Sequence, residues 1–200
     1  MYRVYGMLSS GNCYKVYLTL KQLGLPFEWV HTDIMKGESR TAEFLARNPN
    51  GRVPTLEIEP GKYLPESNAI LCYLAEGTPL LPADRYERAQ VLQWLFFEQY
   101  SHEPYVAVAR FIKVFLGNPP ERGADLAKCM QRGDQALGVM EQHLATRDFF
   151  VAGRYSIADI ALYAYTHVAD TGGFDLGKYP RMGAWLARVK AQPGHVTMDG

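Results

Sequence analysis

Cysteine and histidine are both scarce in this chain of 200 residues. The three cysteines (Cys13, Cys72 and Cys129) are an odd number without paired spacing, which argues against a disulfide framework or a structural zinc site. The five histidines never form a pair four residues apart with an acid between them, so they give no metal motif. We therefore expect reduced thiols and no bound metal.

Net charge and long apolar runs are missing as well. The 21 basic residues balance 21 acidic residues, which removes the broad attraction on which nucleic-acid and anionic-membrane binders rely. No apolar run approaches the ~20 residues of a membrane helix, and the opening Met-Tyr-Arg-Val-Tyr-Gly passes directly into a strand pattern without a signal region. These absences predict a cytoplasmic protein that binds a small molecule, with no nucleic-acid or membrane partner.

The sequence divides into two parts with different periodicities. In the first part, strand and helix patterns follow the thioredoxin order of strand, helix, strand, helix, strand, strand, helix. Proline and glycine then interrupt the chain between Gly77 and Asp84, and only helical apolar spacing follows. We predict a thioredoxin-like domain over residues 1–76, a linker over 77–84 and an all-helical domain over 85–200.

The segment around Pro54 has the features of a site where backbone pairs with a peptide. Pro54 lies directly before the strand pattern Thr55–Glu59, where proline is tolerated only at an edge, a first position or a special turn. We predict a cis Val53–Pro54 bond. It would turn the N–H and C=O groups of Val53 outward, where they could pair with an extended peptide.

Glu66 and Ser67 open the next predicted helix. Backbone N–H groups and a hydroxyl at a helix start suit a carboxylate, while Glu66 suits an ammonium group. Together they could hold the amino-acid end of a ligand. In the alternative interpretation, Ser67 only starts a helix.

The second informative segment, Ser-Ser-Gly-Asn-Cys-Tyr-Lys-Val from Ser9 to Val16, joins the first strand to the first helix. In thioredoxin-like proteins a reactive cysteine takes this helix start, where N–H groups and the helix dipole stabilise its thiolate. Counting back from Val16 places Ser10 at that position and Cys13 at the position of the buried second cysteine. A serine cannot perform dithiol chemistry, but it can donate a hydrogen bond to a thiolate carried by a ligand. Ser9 is the alternative donor if the loop is shifted by one residue.

A cysteine-containing peptide paired with Val53, with its amino-acid end at Glu66 and Ser67, would carry its sulfur towards Ser10, and glutathione is such a peptide. The chain resembles the cytosolic glutathione S-transferases over essentially its whole length. The motifs that carry the resemblance, in order, are Ser-Ser-Gly-Asn-Cys-Tyr-Lys-Val, Lys-Gly-Glu-Ser-Arg-Thr-Ala-Glu-Phe-Leu, Asn-Pro-Asn-Gly-Arg-Val-Pro-Thr-Leu, Pro-Glu-Ser-Asn-Ala-Ile and Gly-Arg-Tyr-Ser-Ile-Ala-Asp-Ile.

The resemblance implies glutathione as co-substrate and a set of residues that bind it. Ser10 corresponds to the activating hydroxyl of the serine-type classes, Val53 to the residue that pairs with the ligand's cysteine, and Glu66 with Ser67 to the γ-glutamyl contact. Basic residues of the family meet the glycine carboxylate near Arg40 and Arg52, with Lys36 as a further candidate. The implied binding set is Ser9, Ser10, Arg40, Arg52, Val53, Pro54, Glu66 and Ser67.

Asn12 leaves the reaction open. Bacterial members of the nu class carry a hydroxyl residue and an asparagine two apart, as Ser10 and Asn12 are here, and some of them act on glutathionyl disulfides. With Ser10 and Asn12 as catalytic residues, the resemblance implies conjugation of glutathione to an electrophile or, alternatively, reduction of disulfides or peroxides. A noncatalytic glutathione-binding module is a third possibility.

The resemblance also implies a homodimer whose helical domain shapes a pocket for a small hydrophobic electrophile. We expect the pocket wall within residues 105–115. There Tyr105, Phe111 and Ile112 would supply apolar surface, and Arg110 would favour an acidic or nitro-bearing electrophile.

Two capping boxes are predicted in the helical domain. Asp84 followed by Glu87 and Ser156 followed by Asp159 each have the spacing in which two side chains satisfy free N–H groups at a helix start. We assign the second box a purely structural role.

Overall fold

The computed structural model of the chain describes residues 1–198, which fall into two compact units. The first unit contains residues 1–78 and the segment that begins at Pro193, and the second contains Pro79–Gln192. Each unit is described separately below.

The first unit is built on a mixed β-sheet. Its strands are β1 (Tyr2–Gly6), β2 (Phe27–His31), β3 (Thr55–Glu59) and β4 (Lys62–Pro65). The strand order is β2-β1-β3-β4, with β1 parallel to β2 and antiparallel to β3, while β3 and β4 form a hairpin. The helices are α1 (Gly11–Gln22), α2 (Ala42–Arg47) and α3 (Ser67–Ala75). This is the predicted thioredoxin-like arrangement, in which α1 makes the crossover that two parallel strands require.

Alternation along β1 decides which helices cover each face of the sheet. The fully buried Val4 shares a face with Tyr2, whose ring meets that of Tyr73 in α3 at 6.3 Å between centroids. Tyr5 points to the opposite face and meets Phe44 of α2 at 6.5 Å. Since α1 packs on α3, these two helices cover one face and α2 lies on the other.

The second unit is helical throughout its regular structure, as predicted. Its helices are α4 (Arg85–Phe97), α5 (Glu103–Arg110), α6 (Gly123–His143), α7 (Ile157–Thr166) and α8 (Pro180–Lys190), with π-helical turns at Glu98–His102 and Phe111–Phe115. Trp185 of α8 is fully buried, and its ring contacts those of Phe150 at 5.2 Å and Tyr163 at 6.1 Å. This aromatic group forms part of the core.

The start of α7 has the predicted capping box between Ser156 and Asp159. One carboxylate oxygen of Asp159 accepts the Ser156 N–H and hydroxyl, at 3.0 and 3.1 Å. The other accepts the Phe150 N–H at 3.1 Å and the Trp185 indole N–H at 3.0 Å. Burial raises the pKa of Asp159 to about 6, although these hydrogen bonds act in the opposite direction.

The box predicted at α4 forms only in part. Asp84 accepts the N–H groups of Tyr86 and Glu87 at 3.0 and 2.9 Å, as a helix cap does. The Glu87 carboxylate instead pairs with Arg154. The helix is therefore capped from one side, because a cation distant in sequence takes the second partner.

The last described residues differ from the prediction, which placed them in the helical domain. The fully buried Tyr14 of α1 donates its hydroxyl to the Val196 carbonyl at 2.7 Å and lies 3.4 Å from His195 Nε2. A Cβ atom on Gly194 would stand 3.1 Å from the Gln22 Cα. The chain therefore returns to complete the first unit.

Candidate functional site

Strand register brings the predicted segments to one end of the sheet in the first unit. Tyr5 pairs with Thr55, so Val53 and Pro54 lie beside the residues that follow β1. Thr55 also pairs with Pro65, so Glu66 and Ser67 follow on the other side of β3. Three segments distant in sequence therefore meet where β1 gives way to α1.

Ser10 occupies the position directly before α1. Its N–H donates to the Met7 carbonyl at 2.9 Å, closing a turn, and its carbonyl accepts the Tyr14 N–H at 2.8 Å. Its side chain makes no hydrogen bond that caps the helix. Ser10 therefore does not cap α1 through its side chain, and its hydroxyl lies at a helix start whose first N–H groups have no acceptor within the helix.

Cys13 lies one turn into α1 and is fully buried. Burial raises the pKa of its thiol to about 12, against the lowering influence of hydrogen bonds from Met7 and Ser10. At neutral pH the group is a protonated thiol. It therefore lacks the accessible thiolate that a nucleophilic cysteine needs.

The Val53–Pro54 peptide bond is cis, as predicted. The neighbouring loop is held by Asn48, which is 3% exposed. Its amide nitrogen donates to the Arg52 carbonyl at 2.8 Å and the Thr55 hydroxyl at 3.3 Å, and its amide oxygen accepts the Asn50 N–H at 3.1 Å. No role in holding this loop was predicted for Asn48 from the sequence.

The backbone of Val53 is open to a ligand. Its N–H and C=O groups make no hydrogen bond to any other residue within 1–198. Val53 is partly exposed, so these two groups beside the sheet are accessible to an incoming extended backbone.

Glu66 and Ser67 form a strained helix start. Glu66 has φ +70°, a conformation that residues other than glycine rarely adopt, and strain of this kind collects at functional sites. Its side chain is exposed, whereas Ser67 is only 4% exposed. The Ser67 hydroxyl donates to the Asn12 amide oxygen at 3.2 Å. This bond joins the predicted γ-glutamyl contact to the segment from Ser9 to Val16, where the ligand thiol is expected and which we call the thiol loop.

A second link between α1 and α3 was not found from the sequence. The Lys15 ammonium group, on a fully buried side chain, donates to the Asn68 amide oxygen at 3.1 Å. A buried cation needs hydrogen-bonding partners, so this contact constrains how α3 starts beside α1. Only the adjacency of Lys15 to the thiol loop and of Asn68 to Ser67 could have suggested it.

The three basic candidates for the glycine carboxylate differ in their contacts. Arg40 donates to the Asn50 carbonyl at 3.1 Å and packs over Gly51, where a Cβ atom would stand 2.5 Å from its guanidinium. Gly51 also has φ +63°, so glycine is required for two reasons. Arg52 is exposed, and Lys36 pairs with Asp33 at 3.4 Å.

The predicted electrophile residues all lie in the second unit. Tyr105 and Arg110 are partly exposed on α5, and the Phe111 ring stacks on that of Phe115 at 5.6 Å. The Arg110 guanidinium lies 5.3 Å from the centroid of the Phe115 ring. Ile112 is fully buried in the core and so presents no surface to a ligand.

Comparison with protein-family models identifies the family of this chain. The model of the glutathione S-transferase N-terminal domain matches residues 1–76, and that of the C-terminal domain matches residues 105–193. The chain belongs to the glutathione S-transferase family. Residues of both units therefore fall within family-defined domains.

Individual relatives agree with the family assignment. Glutathione S-transferase 2 of Schizosaccharomyces pombe is 32% identical over 215 residues, covering 96% of this chain and 92% of the relative. A solved glutathione S-transferase from Pseudomonas fluorescens Pf-5 is 57% identical, with TM-score 0.97 and 98% of each chain covered. A second family member from that organism, solved with two glutathione molecules bound, is 29% identical with TM-score 0.85, covering 96% of this chain and 89% of its own.

Membrane-spanning helices and metal-binding clusters are both missing from the described residues. Within residues 1–198, no helix combines the length and apolar character needed to cross a bilayer. The same residues contain no group of three or more histidine, cysteine or acidic side chains arranged to hold a metal ion.

Proposed function

We propose that this family member binds reduced glutathione in its first unit and transfers the glutathione thiolate to a small hydrophobic electrophile. The observation that carries the proposal is the Asn12–Ser67 hydrogen bond, which ties the thiol loop to the strained helix start at Glu66. The complex of a relative with two glutathione molecules supports the choice of ligand.

Each part of glutathione has a complementary group in this arrangement. The backbone of its cysteine pairs with the open N–H and C=O groups of Val53. The γ-glutamyl carboxylate meets the N–H groups at the start of α3, and the ammonium meets Glu66. Arg40 is our first choice for the glycine carboxylate, because its contacts with Asn50 and Gly51 fix it beside the Val53 loop. Arg52 and Lys36 are the alternatives.

Ser10 and the start of α1 supply the chemistry. Lowering a thiol pKa from about 8.5 to about 6.5 needs roughly 2.7 kcal/mol of preferential thiolate stabilisation. One hydrogen bond to the charged sulfur and a helix N-terminus reach that value together. The thiolate then attacks the electrophile, a new carbon–sulfur bond forms and the leaving group departs with its electron pair. Tyr105, Arg110 and Phe111 are the proposed contacts for the electrophile.

The experiment compares three variants at neighbouring hydroxyl positions. We expect Ser10→Ala to lower turnover with an aryl halide at least tenfold while glutathione affinity changes little, and Ser10→Thr to retain part of the activity. Ser9→Ala tests the alternative donor and should lower turnover less than Ser10→Ala does. Equal losses of turnover and affinity in Ser10→Ala, or a larger effect at Ser9, would contradict the assigned role.

Disulfide reduction is the second candidate reaction, and the relative with two glutathione molecules favours it. One glutathione thiolate would attack a disulfide, releasing a thiol and forming a mixed disulfide, which a second glutathione would resolve to oxidised glutathione and thiol. Asn12 is the proposed contact for the second molecule. Turnover of hydroxyethyl disulfide faster than of aryl halides would favour this reaction, and binding without either would favour the noncatalytic module.

A homodimer is proposed from the surface of α4 and the turn that follows it. Leu92, Phe96 and Tyr100 recur at helical spacing and are 37, 69 and 84% exposed. Exposed apolar stripes of this kind mark protein interfaces. Phe96→Glu should yield monomers in sedimentation velocity, whereas an unchanged sedimentation coefficient would place the interface elsewhere.

The free cysteines, of which Cys13 and Cys129 are buried, support a reducing, cytoplasmic location.

A further inference from the structure

The second unit contains a cavity that the proposed function does not use. It has a volume of about 220 Å³ and lies between the loop after α6 and one face of α8. Three of its lining residues are arginines: Arg147 from the loop, and Arg181 and Arg188 from α8. We define this site as the arginine pocket.

Helical spacing explains how the α8 side of the pocket forms. Arg181, Ala184 and Arg188 recur at intervals of three and four residues, which places them on one face of the helix. The small Ala184 between two long side chains leaves a depression, and all three residues line the cavity.

The positive charge in the pocket is only partly neutralised. Asp148 also lines the cavity, and it occupies Arg188, which donates to the Asp148 carbonyl at 3.0 Å and lies 3.6 Å from the Asp148 carboxylate. The Glu141 carboxylate accepts the backbone N–H groups of Arg181 and Met182 at 3.1 and 2.9 Å. Among the described residues, no carboxylate lies within 4 Å of the guanidinium of Arg147 or Arg181.

Neutral donors add to the two arginines. The Arg147 guanidinium donates to the Thr146 hydroxyl at 3.5 Å, and Thr146 belongs to the cavity lining. The backbone N–H groups of Thr146 and Arg147 make no hydrogen bond to other residues of the described chain. Guanidinium groups that have no carboxylate partner, with hydroxyl and N–H groups nearby, are the features that bind phosphate groups in proteins.

We propose that the arginine pocket is an anion site for the phosphate group of a small phosphate monoester, separate from the glutathione site. Arg147 and Arg181 would donate to the phosphate oxygens, while Arg188 stays on Asp148 and holds the loop. A sulfate-sized anion fits the same donors, and the nature of the organic part is left to the outcome of the test.

The test is calorimetric titration of the full chain with inorganic phosphate and with phenyl phosphate, at constant ionic strength set with sodium chloride. We expect saturable binding of one ligand per chain, weakened about tenfold or more by Arg147→Ala or Arg181→Ala, since each removes charge-assisted hydrogen bonds. Arg132→Ala is the control, because Arg132 is exposed on α6 and lies outside the cavity lining. It should bind as the parent does.

The outcomes separate the possible ligands. Tighter binding of phenyl phosphate than of inorganic phosphate would indicate an organic phosphate, and equal binding would indicate the free anion. Absence of saturable binding to the parent, or equal affinity in the parent and the double variant Arg147→Ala/Arg181→Ala, would overturn the proposal. Circular dichroism of each variant distinguishes loss of the site from loss of the fold.

Discussion

Asp159→Ala is the substitution whose effect on stability follows most directly from the contacts at the start of α7. The carboxylate accepts the backbone N–H groups of Ser156 and Phe150 and the indole N–H of Trp185, all from buried positions. Alanine leaves these three N–H donors without their acceptor, and the Ser156 hydroxyl loses its partner as well. Each buried donor left in this way costs about 1–3 kcal/mol, or roughly 6 kcal/mol for the three.

The charge of Asp159 acts in the opposite direction. Its pKa is raised to about 6 from an ordinary value of 3.8, so at pH 7 the buried anion costs about 3 kcal/mol, which the substitution recovers. We therefore expect a net loss of about 3 kcal/mol in the free energy of unfolding at pH 7.

The pH dependence tests which effect is larger. Because the folded pKa lies above the unfolded one, the stability from Asp159 is fully present below pH 3.8 and is lost as pH rises through 6. The parent should lose about 1 kcal/mol relative to the variant between pH 5 and pH 8 through this group. The destabilisation caused by Asp159→Ala is therefore expected to be larger at pH 5 than at pH 8.

The assay is urea unfolding followed by far-ultraviolet circular dichroism, because Trp185 fluorescence would report the lost contact itself. The control is Asp125→Ala, which removes only a surface pair with Arg122 at 2.8 Å and should change stability by less than about 0.5 kcal/mol at either pH. A destabilisation that grows from pH 5 to pH 8 would refute the reasoning, because it would mean that hydrogen bonds favour the anion more than burial disfavours it.

Three further substitutions test the first unit and its interior. Gly6→Ala would place a Cβ atom 2.9 Å from a cysteine sulfur and 3.1 Å from an indole ring, so we expect the free energy of unfolding in urea to fall by about 1–3 kcal/mol. Its control, Gly138→Ala, lies in an open helical position and should raise the free energy of unfolding by about 0.5–1 kcal/mol. Tyr14→Phe removes the 2.7 Å bond to the last segment and should cost about 1 kcal/mol in thermal unfolding, against no measurable loss for Tyr17→Phe. Asn48→Ala removes three loop contacts. We expect the loss of glutathione-binding free energy, measured by calorimetry, to exceed the loss of unfolding free energy, measured by thermal unfolding. The reverse order would mean that Asn48 serves only stability.

Local patterns were sufficient for the order of elements in the first unit. The strand and helix patterns depend on neighbouring residues, and the structure confirms their predicted order. The cis bond at Pro54 was predictable for the same reason, since proline is confined to few positions beside a strand.

Contacts between distant segments were not predictable. Nothing local to Glu87 indicates that Arg154 takes its carboxylate, and nothing local to Asn12 indicates that Ser67 donates to it. The burial of Ile112 depends on how helices pack within the second unit, which apolar spacing alone does not determine. The parts of the site that depend on one segment were therefore accessible from sequence, whereas its hydrogen bonds required coordinates.

The return of the chain to Tyr14 has a consequence for the order of synthesis. Domains generally fold as they leave the ribosome, the N-terminal one first. Here the sheet and α1–α3 emerge early, but the carbonyl that accepts the Tyr14 hydroxyl belongs to Val196 and is made more than a hundred residues after α3. Until the helical domain has been translated, the nascent first domain therefore lacks the segment that accepts this hydrogen bond.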